Sequence, residues 1–168
     1  MGTQEHKKVA PKKIRAGIIT VSTTRTMVND KSGLWISKQV KKEGHDVVFH
    51  QVIPDKSSTI TKTVLDLINN YKPDLIVLTG GTGLSDKDVT IEAVRPLFIK
   101  ELTGFGPVFA QLSFEEISSA AILSRATAGI IGKSVLFSIP GSLKACKLAC
   151  RDLIFPEVRH ILKHITEE

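Results

Sequence analysis

Apolar positions along this chain follow two alternating periods. Arg15–Val21 (Arg-Ala-Gly-Ile-Ile-Thr-Val), Asp46–Ile53 and Leu75–Thr79 are short, rich in β-branched residues and bounded by turn formers, which predicts strands. Between them the spacing turns helical. Leu34, Trp35, Ile36 and Val40 form one stripe over Leu34–Glu43, with Lys38, Lys41 and Lys42 outside and Gly44 as the stop. Ile60, Val64, Leu65, Leu67 and Ile68 form the inner face of a second helix, capped by Ser58 or Thr59 and closed by Asn69-Asn70 and Pro73. Core packing is the expected role of Trp35.

The second half is more broken. Val89–Ile99 predicts a helix despite Pro96, Gly104-Phe105-Gly106-Pro107 a break, and Ser113 with Glu116 a capping box. Ala126–Ile131 and Ser134–Ile139 read as two strands around Gly132-Lys133. Pro140-Gly141-Ser142 ends the second, Ser142 caps a helix through Leu153, Pro156 interrupts, and a last helix runs toward His164. Strands alternating with helices of this length predict an α/β domain, three-layer α/β/α with a mostly parallel central sheet. Ligands in such sheets bind beyond the carboxyl ends of the strands, so the loops 22–32, 54–57, 79–88 and 140–142 carry the functional expectation.

Length and composition fit a single domain over residues 14–168, and no apolar run is long enough for a membrane span. The net charge of +6 invites a nucleic-acid reading. Its placement argues otherwise, because Lys7, Lys8, Lys12, Lys13 and Arg15 against Glu5 hold most of the excess. Residues 1–13 have no periodicity and no signal-peptide core, which predicts a disordered basic tail. Cys146 and Cys150 stand one helical turn apart and read as half-buried thiols of a reducing, cytoplasmic protein, since a structural zinc site needs more ligands. His160 and His164 repeat the spacing and read as a solvated helix face.

Chemistry concentrates in Thr79-Gly80-Gly81-Thr82-Gly83, where a strand buried on both faces enters a glycine turn. The loop lacks the spacing of a dinucleotide fingerprint, but free backbone N–H groups, the Thr82 hydroxyl and a helix start beyond suit a phosphate. A tight structural turn explains the same glycines. Gly129-Ile130-Ile131-Gly132-Lys133-Ser134 ends like a phosphate-binding Walker loop but has two residues between its glycines instead of four, so it reads as a hairpin. Asp86 and Asp88 follow the glycine loop, and Asp55 ends the neighbouring strand. Carboxylates beside a phosphate cradle point to Mg²⁺ shared with substrate phosphates. The bland alternatives are Asp88 as a helix cap, Asp55 as a turn residue and Asp86 as solvated charge. No Ser-His-Asp or Cys-His system is present, and phosphoryl or nucleotidyl transfer fits the inventory best.

The ordered motifs resemble the MoaB/MogA family of molybdenum or tungsten cofactor biosynthesis proteins over roughly residues 14–160. They are Thr20-Val21-Ser22 with Arg25, Asp30, Ser32 and Gly33; Thr79 to Gly83 with Asp88; Gly104-Phe105-Gly106; Leu112 to Ile117; Ser124-Arg125-Ala126 with Ala128-Gly129; and Pro140-Gly141-Ser142 with Lys144-Ala145. The resemblance implies a molybdopterin-binding fold and AMP transfer from Mg-ATP to molybdopterin with release of pyrophosphate. It implies Asp88 and Asp55 as the critical carboxylates, with Asp88 as the Mg²⁺ ligand. Thr79 and Gly80 to Gly83 would serve phosphate, and Ser22, Ser124, Arg125, Pro140, Gly141 and Ser142 would line the pocket. A homotrimer or homohexamer and a downstream metal-insertion protein are implied as well. Lys87 and Ala110 depart from the family's arginines. The alternatives are a non-catalytic molybdopterin-binding paralogue and an oligomeric scaffold.

Overall fold

Alternating burial decides the architecture. The computed structural model describes residues 13–167. The disordered basic tail expected over residues 1–13 lies, Lys13 apart, outside the described residues. In order the chain forms β1 (Arg15–Val21), α1 (Lys31–Lys42), β2 (Asp46–Ile53), α2 (Ser57–Tyr71), β3 (Leu75–Thr79) and α3 (Thr90–Val94), which runs into a 3₁₀ turn at Arg95–Leu97. Then come β4 (Lys100–Glu101), α4 (Phe105–Ile117), a 3₁₀ segment Ser118–Leu123, β5 (Thr127–Ile131), β6 (Ser134–Ile139), α5 (Leu143–Ala149), a π-helical segment Cys150–Ile154, and α6 (Phe155–Thr166).

The six strands make one sheet in the order β2-β1-β3-β6-β5-β4. The first four run parallel, β5 is antiparallel to β6, and β4 is antiparallel to β5. Successive side chains of a strand point to opposite faces. Ile18, Leu75, Val77, Val135, Phe137 and Ile139 therefore enter one core with Ile36, Val40, Phe105, Phe109, Cys146, Ile154, Val158 and Leu162. Ile19, Ile76, Leu78 and Leu136 enter the other with Ile60, Val64, Leu67, Ala93 and Val94. Helices thus cover both faces, as the three-layer reading requires, and each fully buried aliphatic side chain contributes about 1.5–3 kcal/mol.

Several boundaries differ from the sequence expectation. α1 starts at Lys31 instead of Leu34, because the Asp30 carboxylate caps it by accepting from the Gly33 N–H at 3.0 Å. Leu34 and Leu65, expected inside, are exposed. α2 starts at Ser57, so Ser58 and Thr59 lie in its first turn and Lys56 is the cap without a side-chain bond. The helix expected over Val89–Ile99 keeps α geometry only to Val94 and then tightens around Pro96.

Gly104 to Pro107 start a helix where a break was expected. Gly104 is the cap, and Pro107 sits in the first turn, where no intrahelical N–H is required. Ser113 is consequently buried in mid-helix and donates its hydroxyl to the Phe109 carbonyl at 2.8 Å, so the capping box does not form. Pro156 does not interrupt the helix either: the preceding π turn, closed by the Phe155 N–H on the Cys150 carbonyl, leads into α6 with the proline in its first turn. Trp35 is a rim residue, half-buried beside the core with the Arg151 and Lys147 cations 5.2 and 6.0 Å from its ring. Cys146 and Cys150 are fully buried, not half-buried.

Candidate functional site

Parallel strands β1, β2, β3 and β6 end at one sheet edge, and the loops that leave them enclose a cavity of about 400 Å³. Val21 to Arg25, Asp55, Gly80 to Gly83, Asp88, Leu123 to Arg125, Pro140 and Gly141 line it. All four loops expected to matter contribute. A fifth segment, Leu123-Ser124-Arg125, precedes a strand, yet it arrives at the same edge because β5 runs antiparallel to β6.

Glycine is required where the loop leaves β3. Gly80 and Gly81 have φ of +100° and +68°. A Cβ on Gly80 would stand 2.4 Å from the Val21 carbonyl oxygen, and one on Gly81 would stand 2.2 Å from Thr90 Oγ1. Any side chain would force β1, β3 and α3 apart. The loop carbonyls turn inward: Gly80 accepts from the Thr90 hydroxyl at 2.9 Å and Gly81 from the Thr90 N–H at 3.0 Å. The Thr90 N–H and hydroxyl at the start of α3 are therefore spent on the loop.

Asp88 is not a helix cap. Val89 occupies the cap position of α3 without a side-chain bond. Instead the Asp88 carboxylate folds back over the glycine loop, where Oδ2 accepts from Ser85 Oγ at 2.7 Å and Ser85 N at 3.0 Å. The Ser85 hydroxyl holds its pKa below the ordinary value against the opposing effect of partial burial, helped by the Ser85 and Gly83 backbone and the Arg125 charge. Arg125 donates Nη1 to the Gly83 carbonyl at 2.9 Å and pairs through Nη2 with Glu92. Asp55 faces the loop from the end of β2 with Oδ1 beside Gly81. It takes no hydrogen bond among the described residues.

Beneath the cavity lies a layer of buried polar groups, mostly hydrogen-bonded, with His50 Nε2 the exception beside Asp30. Thr79 is fully buried, its hydroxyl 3.0 Å from both the Pro140 carbonyl and Cys146 Sγ. Burial raises the Cys146 pKa against the hydrogen bonds of Thr79 and Ser32, and burial raises that of Cys150 further. Asp30, also fully buried, accepts from Thr20 Oγ1 at 2.5 Å and Gly33 N at 3.0 Å, with His50 Nε2 at 3.6 Å and Arg25 Nη1 at 4.0 Å. Gly141 accepts from Arg25 Nη1 at 2.9 Å and Ser32 Oγ at 2.8 Å.

The cavity thus brings together Asp55, Asp88, Ser22, Gly80, Gly81, Thr82, Gly83, Ser124, Arg125, Pro140 and Gly141. Thr79 and Ser142 are placed elsewhere. Thr79 supports the loop from below, and Ser142 caps α5 through the Ala145 N–H at 3.2 Å. Asp86 and Lys87 are exposed and outside the lining, as is the half-buried Ala110. The reading of the residues missed Arg25, Thr23 and Thr24 as lining groups. Their signal was their place directly after β1. Gly132 and Lys133 form the hairpin turn expected of the false Walker loop.

Magnesium commonly takes one or two carboxylates and completes its shell with phosphate oxygens and water. Asp55 and Asp88 are the two carboxylates in the lining, and no group of three or more metal-ligating side chains occurs among the described residues. The pair fits a cation shared with a phosphate ligand better than a closed protein site. Among the described residues no helix is long and apolar enough to cross a membrane.

A family model described as a probable molybdopterin binding domain matches residues 17–160. The chain is 46% identical over its whole length to molybdenum cofactor biosynthesis protein B of Bacillus subtilis, of which 99% is covered. It is 44% identical to the molybdopterin adenylyltransferase of Pyrococcus furiosus, with 99% of this chain and all of that protein covered. Among solved structures, a molybdenum cofactor biosynthesis protein B superposes with a TM-score of 0.91 at 42% identity, over 95% of this chain and 99% of that one. The tungsten cofactor synthesizing protein MoaB from Pyrococcus furiosus superposes with a TM-score of 0.82, also at 42% identity, over 94% and 100%.

Proposed function

Because the chain belongs to the MoaB family of molybdenum cofactor biosynthesis proteins, we propose that it is a molybdopterin adenylyltransferase of molybdenum or tungsten cofactor synthesis. The observation that carries the reading is the convergence of Gly80 to Gly83, Asp55, Asp88 and Arg125 on one cavity beyond the carboxyl ends of the parallel strands. An oxygen of the terminal phosphate of molybdopterin attacks the α-phosphorus of ATP. The bond to the bridging oxygen of the β-phosphate breaks, and pyrophosphate leaves. No protein nucleophile is needed, so positioning and charge carry the catalysis.

Each part of the site has a task. The positive φ of Gly80 and Gly81 turns their carbonyls toward Thr90 and leaves the cavity side of the loop to phosphate oxygens. Asp55 and Asp88 would hold Mg²⁺, which neutralises triphosphate charge when bound. The Ser85 hydroxyl favours the ionised form of Asp88, the form that a metal ligand requires. Arg125 braces Gly83 against Glu92, and Ser22, Ser124, Pro140 and Gly141 shape the walls.

Neither Lys87 nor Ala110 lines the cavity, so their departures from the family pattern leave its inventory intact. The buried free thiols of Cys146 and Cys150 support a cytoplasmic location. Exposed Val108, Phe114, Ile117, Ile122 and Leu123 support assembly as a homotrimer or homohexamer. Transfer of the product to a downstream metal-insertion protein follows from the same reading.

The test is pyrophosphate release from Mg-ATP and molybdopterin, with a known adenylyltransferase as positive control. Asp88→Asn should lower the rate by about 10²–10³. Equal rates in variant and parent would sink the assignment, and pterin binding without turnover in the parent would favour a binding-only protein.

A further inference from the structure

Two arginines line the cavity, and they are differently engaged. Arg125 spends Nη1 on Gly83 and Nη2 on Glu92. Arg25 spends Nη1 alone, on the Gly141 carbonyl at 2.9 Å, and its Nε and Nη2 make no hydrogen bond among the described residues. The nearest carboxylate, Asp30, lies 4.0 Å from Nη1, fully buried and already accepting from Thr20 and Gly33.

Gly141 holds this guanidinium, and Ser22 and Gly80 hold the backbones on either side of the contact. The Arg25 backbone N–H donates to Ser22 Oγ at 3.1 Å, and Gly141 packs so closely that its Cβ position falls 3.2 Å from the Gly80 Cα and 3.5 Å from Arg25 Nη1. A cation that lines the cavity, fixed at one N–H and with its other donors unspent, is prepared for an oxyanion. Arginine's planar fork matches phosphate geometry through two parallel N–H bonds, which a flexible lysine does not reproduce.

We propose that Arg25 binds a phosphate group of the ligand through Nε and Nη2, with Asp30 as its positioning residue. The inference rests on the proposed function, under which both ligands carry phosphate. The group is either the terminal monoester of the pterin or the phosphoanhydride chain of the nucleotide.

The experiment titrates the full chain separately with Mg-ATP and with molybdopterin, and measures KM for each during pyrophosphate release, in parent, Arg25→Gln and Arg25→Lys. Arg25→Gln should weaken one ligand by about ten-fold or more while the other changes by less than about two-fold, the scale of losing charge-assisted hydrogen bonds. Arg25→Lys should recover part of the loss. The ligand that weakens identifies the phosphate. Asp30→Asn should raise KM for that same ligand in the parent and add nothing in the Arg25→Gln background; additive losses would overturn the positioning role.

Affinities unchanged in Arg25→Gln, or an equal loss for both ligands in Arg25→Gln and Arg25→Lys alike, would make Arg25 only a clamp on Gly141 and overturn the inference. A parent that binds neither ligand would instead overturn the proposed function, and this inference with it.

Discussion

Two polar layers meet at the carboxyl edge of the sheet, and they are built to different rules. In the lower layer Thr20, Asp30, Thr79 and Thr90 are fully buried and every one is hydrogen-bonded to a neighbouring element. In the upper layer Asp55, Arg25 and the cavity side of the glycine loop are open, and Asp55 has no partner within the described residues. An unsatisfied polar group is expensive when buried and cheap when wet. Below the sheet edge such unspent capacity is confined to His50 Nε2 and Ser138 Oγ among the described side chains; in the upper layer it faces the cavity, where a ligand can use it.

This contrast predicts that the layers respond oppositely to mutation. Asp30→Ala removes the cap of α1 and strands the buried Thr20 hydroxyl, so it should destabilise the fold by about 3 kcal/mol. Asp88→Asn should shift stability by less than about 1 kcal/mol while abolishing most turnover. Urea denaturation of both variants tests the contrast directly; an Asp88→Asn loss as large as that of Asp30→Ala would erase the distinction.

Thr90→Val comes next. It keeps the shape but removes the hydroxyl on the Gly80 carbonyl, which should lower stability by about 1–2 kcal/mol and loosen the glycine loop. The check is the unfolding midpoint together with KM for Mg-ATP, both of which should move.

The smallest effect is a pH dependence. Burial raises the pKa of both Cys146 and Cys150 above the ordinary 9.0, so the folded chain keeps protons that the unfolded chain releases. Their contribution is complete below pH 9.0 and is lost as pH rises beyond it. The urea midpoint should accordingly fall as pH rises above 9.0, and less so in Cys150→Ala.

Much of the fold is legible in the sequence because period-two and helical spacing report burial directly. The strands Arg15–Val21, Asp46–Ile53, Leu75–Thr79 and Ser134–Ile139 occupy the residues that their apolar runs mark. The errors cluster where backbone chemistry competes with pattern. Gly104 to Pro107 look like a break but start α4, since a helix tolerates proline in its first turn. Pro156 follows a π turn that the residue pattern does not announce. Asp88 sits one residue short of the cap position and instead closes a turn with Ser85.

By itself, then, the sequence determined the alternation of strands and helices, the mostly parallel sheet and the glycine turn after β3, because these follow from local periodicity and from glycine's lack of a Cβ. Tertiary structure alone decided which groups share the cavity. Arg25, Asp55, Asp88, Arg125 and Gly141 lie far apart along the chain and converge through strand order, above all through the antiparallel β5 that carries Arg125 to the carboxyl edge. It also decided which polar groups are spent and which remain available. Hydrogen-bond satisfaction depends on partners brought in by other elements, as Thr79 and Asp30 show, and no spacing rule along one chain reports it.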